Sequence, residues 1–372
     1  MRSEEERRLR DNSVSQNRIG AEMTIARKDI YDKEDVGVYH CFSRCVRRAF
    51  LCGTDDYTGK NYDHRKQWVE ELLELAASCY VVDLISFAVL DNHFHVLLRN
   101  RPDLKRKLTP SAVARRWLLL HPKRRDKHSN ACEPTQKELR EITRDKKRVK
   151  ELAKRLANIS WFMAFVKEKL ARRANREDDV RGTFFEKRFE MRRLVTDNAV
   201  LACSVYIDLN EIRAGLADTP ETSLHSSIFL RIQGLEARRA GKQAKQAMAD
   251  RWLAPISATY LPQQQRFADK QWRASDDPAL PLTIEQYLAL VDWSGRQIAK
   301  NKAGKIPAEL APILDRLGVR VGRWLDVLKL FSQMFPRIAG NAEQVEEHAA
   351  RHQRCWFHGV ENCRKIFSRG EP

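Results

Sequence analysis

The sequence predicts an α+β protein built on an antiparallel sheet with helices packed on one face, the split βαβ arrangement. Three observations predict it. Runs rich in β-branched and aromatic residues, with polar residues interleaved, read as strands. Two of them, 81–90 and 93–98, are separated only by Asp91-Asn92, a turn pair, and so form a hairpin. Helical periodicities lie between the others, giving the order strand, helix, strand, strand, helix, strand, helix.

Residues 1–36 are highly charged, nearly free of aromatics, and read as a solvated tail. The first strand is 38–46, from Val38-Tyr39-His40 to Cys45-Val46. A loop with Gly53 and Gly59 leads to a helix on which Trp68, Leu72, Leu75, Ala76 and Cys79 recur at spacings of three and four. The hairpin follows. Residues 101–157 then break the pattern with Lys105-Arg106-Lys107, Arg115-Arg116, Lys123-Arg124-Arg125 and Lys146-Lys147-Arg148. This is a mostly helical basic insertion. Most charge runs are solvated faces, but acidic residues are sparse here, which favours a polyanionic counter-charge. Trp161, Phe162, Phe165, Val166 and Leu170 fit the next helix. Gly182 punctuates, and 184–195 reads as a strand. Asp197 suits the N-cap of a helix running through Ile212, with Gly215 at its end. From residue 219 the chain reads as helical, with candidates at 231–253, 283–300 and 319–335 and a proline-marked linker between the first two. Three regions result: the tail 1–36, a unit 37–230 carrying the insertion, and a helical C-terminal region 231–372.

The 372 residues include 68 Lys and Arg against 50 Asp and Glu, a net charge of +18. A hydrophobic fraction of 42 % is enough for a core and excludes full disorder. No apolar run approaches the roughly 20 residues that span a bilayer. The first residues lack the apolar stretch of a secretory signal. The expectation is a cytoplasmic protein with its eight cysteines reduced and no membrane partner. The charge points to a polyanion, nucleic acid first.

His93-Phe94-His95 is the sharpest chemical feature. Residues i and i+2 of a strand share a face, so both imidazoles project together while Phe94 enters the core. Such a pair can hold a divalent metal with one further donor. A bare His-x-His is more often two ordinary histidines, but the turn before it and the apolar strand after it favour a site. On the helix 197–212, Leu201, Val205, Leu209 and Ile212 form the core face. Tyr206 and Asn210 lie one turn apart and off that face. They read either as a boundary tyrosine with a wet hydroxyl or as a nucleophile with an amide beside it.

Asn92-His93-Phe94-His95-Val96-Leu97-Leu98 resembles the His-hydrophobic-His signature of the tyrosine HUH transposases. Gly182-Thr183-Phe184-Phe185-Glu186-Lys187-Arg188-Phe189 and the stretch from Tyr206-Ile207 through Asn210 to Arg213-Ala214-Gly215-Leu216 resemble two motifs of the REP-associated branch. Tyr39-His40 with Ser43-Arg44 resembles that branch's opening strand. Phe185 stands for the usual tryptophan and Glu211 for the usual proline. The resemblance covers 37–230 and leaves the insertion and the C-terminal region unexplained. It implies a ferredoxin-like HUH palm. His93, His95 and Asn210 would bind Mg²⁺ or Mn²⁺, and Tyr206 would attack a phosphodiester of single-stranded or hairpin DNA. The product would be a 5′-phosphotyrosine link, in a monomer or homodimer that is nucleoid-associated when DNA-bound. A domesticated hairpin nickase and a non-catalytic nucleic-acid-binding protein are the competing functions.

Arg44, Arg47, Arg48, Arg188 and Arg193 are the candidate phosphate contacts. Trp117 and Trp161 are candidates for base stacking, with core packing favoured for Trp161. His348, His352, Cys355, His358 and Cys363 form a His/Cys run whose spacing fits no common zinc module, and an amphipathic packing role is favoured.

Overall fold

The computed structural model describes residues 29–46, 51–55, 59–127, 131–241, 248–257, 272–299, 311–316, 319–354 and 357–367. Most of the tail therefore lies outside the described residues, as do Arg47, Arg48 and Cys355. The fold is α+β, with a five-stranded sheet in the order β2-β3-β1-β4-β5. β1 (Gly37–Arg44) is central. It is followed by α1 (His64–Cys79) and the hairpin β2 (Val82–Val89) and β3 (His93–Asn100). The insertion contributes α2 (Pro102–Lys105), α3 (Pro110–Leu120), α4 (Gln136–Thr143) and α5 (Lys146–Leu156), and α6 (Ile159–Glu177) leads back to the sheet. Then come β4 (Glu190–Leu194), α7 (Asp197–Asp208), α8 (Asn210–Arg213) and α9 (Ser227–Arg239). The C-terminal region adds α10 (Ile284–Ala299), α11 (Ala311–Arg316), α12 (Trp324–Met334), β5 (Ile338–Ala339), α13 (Ala342–Arg351) and α14 (Val360–Phe367).

Strands β1 to β4 pair antiparallel, as the hairpin pattern predicts. β5 pairs with β4 in parallel, so the sheet is mixed. A two-residue strand leaves no periodicity to read. Gly340 makes its approach possible: φ is 156°, and a Cβ there would meet Val195 Cγ2 at 2.4 Å.

Helices cover both faces rather than one. Tyr39, Cys41, Phe94, Val96 and Leu98 join a core with α1, the insertion and α6. Leu97, Ala88 and Leu194 join a second core with α7, α10 and α12. Strand alternation thus sends His40 and His95 to the α7 side and Phe94 to the other. A bulge between Leu84 and Ser86 strengthens the α7 contact: Ile85 enters the α7-side core and Ser86 Oγ lies 2.7 Å from Ser204 Oγ of α7.

Four element boundaries differ from the sequence reading. The strand expected over 184–195 is confined to Glu190–Leu194. Phe184 and Phe185 are adjacent yet enter the same core, which an extended strand forbids. The helix expected through Ile212 breaks at Leu209, whose φ and ψ are −97° and 5°. There the buried Asp208 carboxylate accepts hydrogen bonds from Ser227 and Tyr287, tying α7 to α9 and α10. The N-cap is Thr196, one residue before Asp197. The helix expected over 231–253 is α9, ending at Arg239, with turns at 248–253.

The C-terminal region is part of the packed body. Trp324, Val327, Leu328 and Phe331 of α12 are each 0 % exposed. At roughly 1.5–3 kcal/mol for a fully buried large side chain, four contribute about 6–12 kcal/mol before entropy. That matches the whole net stability of an ordinary domain, about 5–15 kcal/mol. Asp83 of β2, fully buried, makes a second tie to the C-terminal region. It pairs with Arg99 and Arg101 and accepts from Ser275.

Candidate active site

His93 and His95 project from β3 toward α7, with ring centroids 4.9 Å apart. His95 is 4 % exposed. Each ring has one nitrogen held by a neighbour: His93 Nδ1 lies 2.5 Å from Asn92 Oδ1, and His95 Nδ1 lies 2.8 Å from His40 Nε2. In both rings Nε2 is the remaining nitrogen. Desolvation, with Arg44 and Arg213 adding to it, brings His93 down to about 4. Burial and then the neighbouring His93 hold His95 well below 6.5. Both imidazoles are therefore neutral near pH 7, which is the ligand form.

α7 places Tyr206 beside His95. Its ring centroid is 6.0 Å from those of His95 and His40. Tyr206 is not at a wet boundary, because α12 closes over α7 and the tyrosine is 5 % exposed. Its hydroxyl lies 2.8 Å from Ser332 Oγ, and the Phe331 ring lies 5.4 Å from its own. Asn210, on the next short helix, is also buried. Its Oδ1 accepts from Arg213 Nη1 at 2.9 Å, and its Nδ2 has no partner among the described residues.

His93 has the form a metal-ligating imidazole takes: Nδ1–H is donated to Asn92 Oδ1 and Nε2 is left to accept a cation. His40 is the brace for His95, and Arg192 Nη1 lies 3.4 Å from His40 Nδ1. A guanidinium only donates, so the chain runs from Arg192 to His40 to His95 and leaves the His95 proton on Nε2. Metal at that nitrogen requires both rings to take the opposite tautomer. Asn210 presents its oxygen to Arg213 in this arrangement, so its part in a ligand set needs that contact to yield.

The candidate phosphate contacts separate. Arg44 is exposed, opposite His93 in the β1–β3 register, and on the site face. Arg188 is exposed in the loop before β4. Arg193 lies on the far face, where its Nη1 donates to Tyr39 Oη at 2.9 Å. Its neighbour Arg192, opposite His40 in the β1–β4 register, is the one that faces the site. Sequence reasoning missed Arg192, Arg213 and Ser332, and did not single out His40 as a site residue. Strand parity from the histidines, carried across two ladders, finds Arg192 and His40 once the register is known. Ser332 comes from a region with no motif.

The motif around Phe185 works from behind. Phe185 packs on Phe94 with centroids 6.3 Å apart, under the Lys167 ammonium at 4.7 Å. It thus buttresses the residue between the two histidines. Glu211, where the resemblance expects proline, turns its carboxylate to accept the His225 amide at 3.0 Å. Burial raises it to about 7.

The basic insertion packs on the face away from the histidines. Arg115, Lys123, Arg124 and Arg155 are paired with Glu133, Glu141, Glu138 and Glu151. α5 exposes Lys146, Lys147, Arg148, Lys150 and Lys154. Trp161 is 39 % exposed rather than in the core, and the Arg155 guanidinium covers it at 4.4 Å. Of the C-terminal His/Cys run, His348 stacks near His352 and Phe357, Cys363 is buried, and His358 is exposed.

No family model, curated protein or solved structure matches the chain. Among the described residues no helix is long and apolar enough to cross a membrane.

Proposed function

We propose that the chain is a tyrosine strand transferase of single-stranded or hairpin DNA, built on a HUH-type palm. The convergence of Tyr206 with His93 and His95 on one sheet face carries this reading. The strand order β2-β3-β1-β4, with α1 and α6 behind it, supports the palm.

In this mechanism Tyr206 Oη attacks the phosphorus and its phenolic proton is lost. The bond from phosphorus to the 3′ oxygen breaks, and that oxygen takes up a proton to become a free hydroxyl. The 5′ phosphate stays esterified to Tyr206, so the phosphodiester energy is retained for rejoining. His93 and His95 would hold Mg²⁺ or Mn²⁺, with Asn210 as the further donor. Such an ion supplies positive charge to the scissile phosphate. Phe94 and Phe185 keep the histidine strand seated, and His40 fixes the His95 ring.

Incubating the protein with single-stranded hairpin DNA and Mn²⁺ tests this reading. It predicts a covalent protein–DNA adduct that the Tyr206→Phe variant does not form. Hairpin binding without any adduct would favour the non-catalytic nucleic-acid-binding function.

A further inference from the structure

We infer that Arg192 and Arg213 form a two-guanidinium cradle for a phosphate group beside Tyr206, and that α12 of the C-terminal region holds the cradle in place. This deepens the strand-transferase reading and rests on it for the identity of the phosphate as a diester or tyrosine ester.

Arg192 is 5 % exposed on a central ladder. Burying a guanidinium costs several kcal/mol unless an anion or good hydrogen bonds compensate. Among the described residues none of its direct partners is an anion. Nη1 meets the neutral His40 ring and Nη2 the Ser332 carbonyl, each at 3.4 Å. The Phe42 ring lies 4.6 Å from the guanidinium carbon, and Nε is buried with no partner among the described residues. Glu190, two residues away on the strand, is paired with Lys187 at 2.7 Å.

Arg213 repeats the pattern from another element. Its guanidinium stands 4.4 Å from the Tyr206 ring centroid. Nη1 donates to Asn210 Oδ1 and Nη2 to the Lys329 carbonyl, both at 2.9 Å. Arg213 thus stands against the phenol ring, and Arg192 meets the carbonyl of Ser332, the residue whose Oγ meets the Tyr206 hydroxyl. Among the described residues both are held only by neutral oxygens and rings, and a phosphate joined to Tyr206 Oη would supply the missing negative charge. A phosphate oxygen suits it, since guanidinium donors match the spacing of phosphate oxygens.

α12 is what allows this. The carbonyls of Lys329 and Ser332 belong to its last two turns, where the helix dipole presents partial negative charge. That supports two uncompensated cations without neutralising them. The same stretch supplies Ser332 Oγ to the tyrosine hydroxyl. The C-terminal region thus completes the candidate site rather than flanking it.

Inorganic phosphate is the probe, titrated into the EDTA-treated full chain by calorimetry, against chloride at matched ionic strength. The expected result is saturable phosphate binding that weakens at least tenfold in Arg213→Gln and in Arg192→Gln, with partial retention in Arg213→Lys. Tyr206→Phe should keep phosphate binding. If Arg192→Gln does not fold, the half-buried Arg213 decides. Equal phosphate affinity in wild type and Arg213→Gln, or no binding beyond the chloride control, overturns the cradle. Phosphate binding that needs both arginines, in a protein that forms no DNA adduct, overturns the strand-transferase reading and leaves the cradle standing.

Discussion

His40 is fully buried between a guanidinium and a histidine that faces the candidate nucleophile. A group that braces a metal-ligating imidazole usually matters 10–100-fold in metal affinity. The His40→Asn variant is therefore expected to keep its fold and to weaken Mn²⁺ binding by one to two orders of magnitude, read by calorimetry without DNA. Unchanged affinity would mean that His95 is not a ligand or needs no brace. A second residue-scale expectation concerns pH. An imidazole in the unfolded chain protonates near 6.5, while burial holds His348 to about 4 in the folded chain. It is faced by Arg193, Arg351, His352 and the Asp29 backbone. The unfolded state binds more protons between those values, so stability falls as pH drops from about 6.5 to about 4. His40 and His95 act in the same direction. Replacing His348 with Leu should shallow the fall in melting temperature between pH 7 and pH 5. An equal fall in the variant would show that His348 already takes up its proton in the folded chain.

The elements separate two roles that the sequence put together. The histidine strand and the tyrosine helix face each other, while the basic insertion packs behind the sheet. DNA that touches both must pass around the sheet edge. The insertion cannot simply be deleted, since Val113, Leu120, Ile142, Leu152 and Leu156 lie in the core it shares with β3. Neutralising Lys146, Lys147, Lys150 and Lys154 of α5 to Gln leaves that core alone. Counterion release gives a salt slope of about 0.7 per phosphate contact for single strands and about 0.9 for duplex. The variant should lose roughly one such increment per contact removed. A slope identical to wild type would mean α5 is a solvated face. β1, the hairpin and the tyrosine helix were legible because period 2 and period 3.6 survive in their side chains. The break at Leu209 was not, because it comes from Asp208 anchoring on distant Ser227 and Tyr287. Nor was Arg192 separable from Arg193, since strand parity has no origin until a register supplies one. The immersion of Tyr206 escaped the sequence for the same reason: α12, whose Ser332 lies 126 residues on, is what covers it.

At the scale of the whole molecule, helices α10 and α12 share one core with α7 and the sheet, and β5 joins that sheet. A chain truncated after 230 is expected to be insoluble or molten, by near-ultraviolet dichroism, because it bares the buried side of α7. Phe331→Ala is the milder form and should cost about 3–5 kcal/mol in denaturant unfolding. A soluble, cooperatively folding truncation would show that the C-terminal helices are accessory. The candidate site around Tyr206 then has three contributors: the β3 histidines, the arginines of β4 and α8, and the last turns of α12. In the proposed function this site joins Tyr206 to a DNA 5′ phosphate. The most direct test is peptide mapping by mass spectrometry of the adduct formed with hairpin DNA and Mn²⁺. The expected result is a single modified residue, Tyr206, and no adduct in a Tyr206→Phe protein that still binds the hairpin. DNA attached at Tyr39, Tyr62 or any other residue, or an adduct that survives Tyr206→Phe, would contradict it.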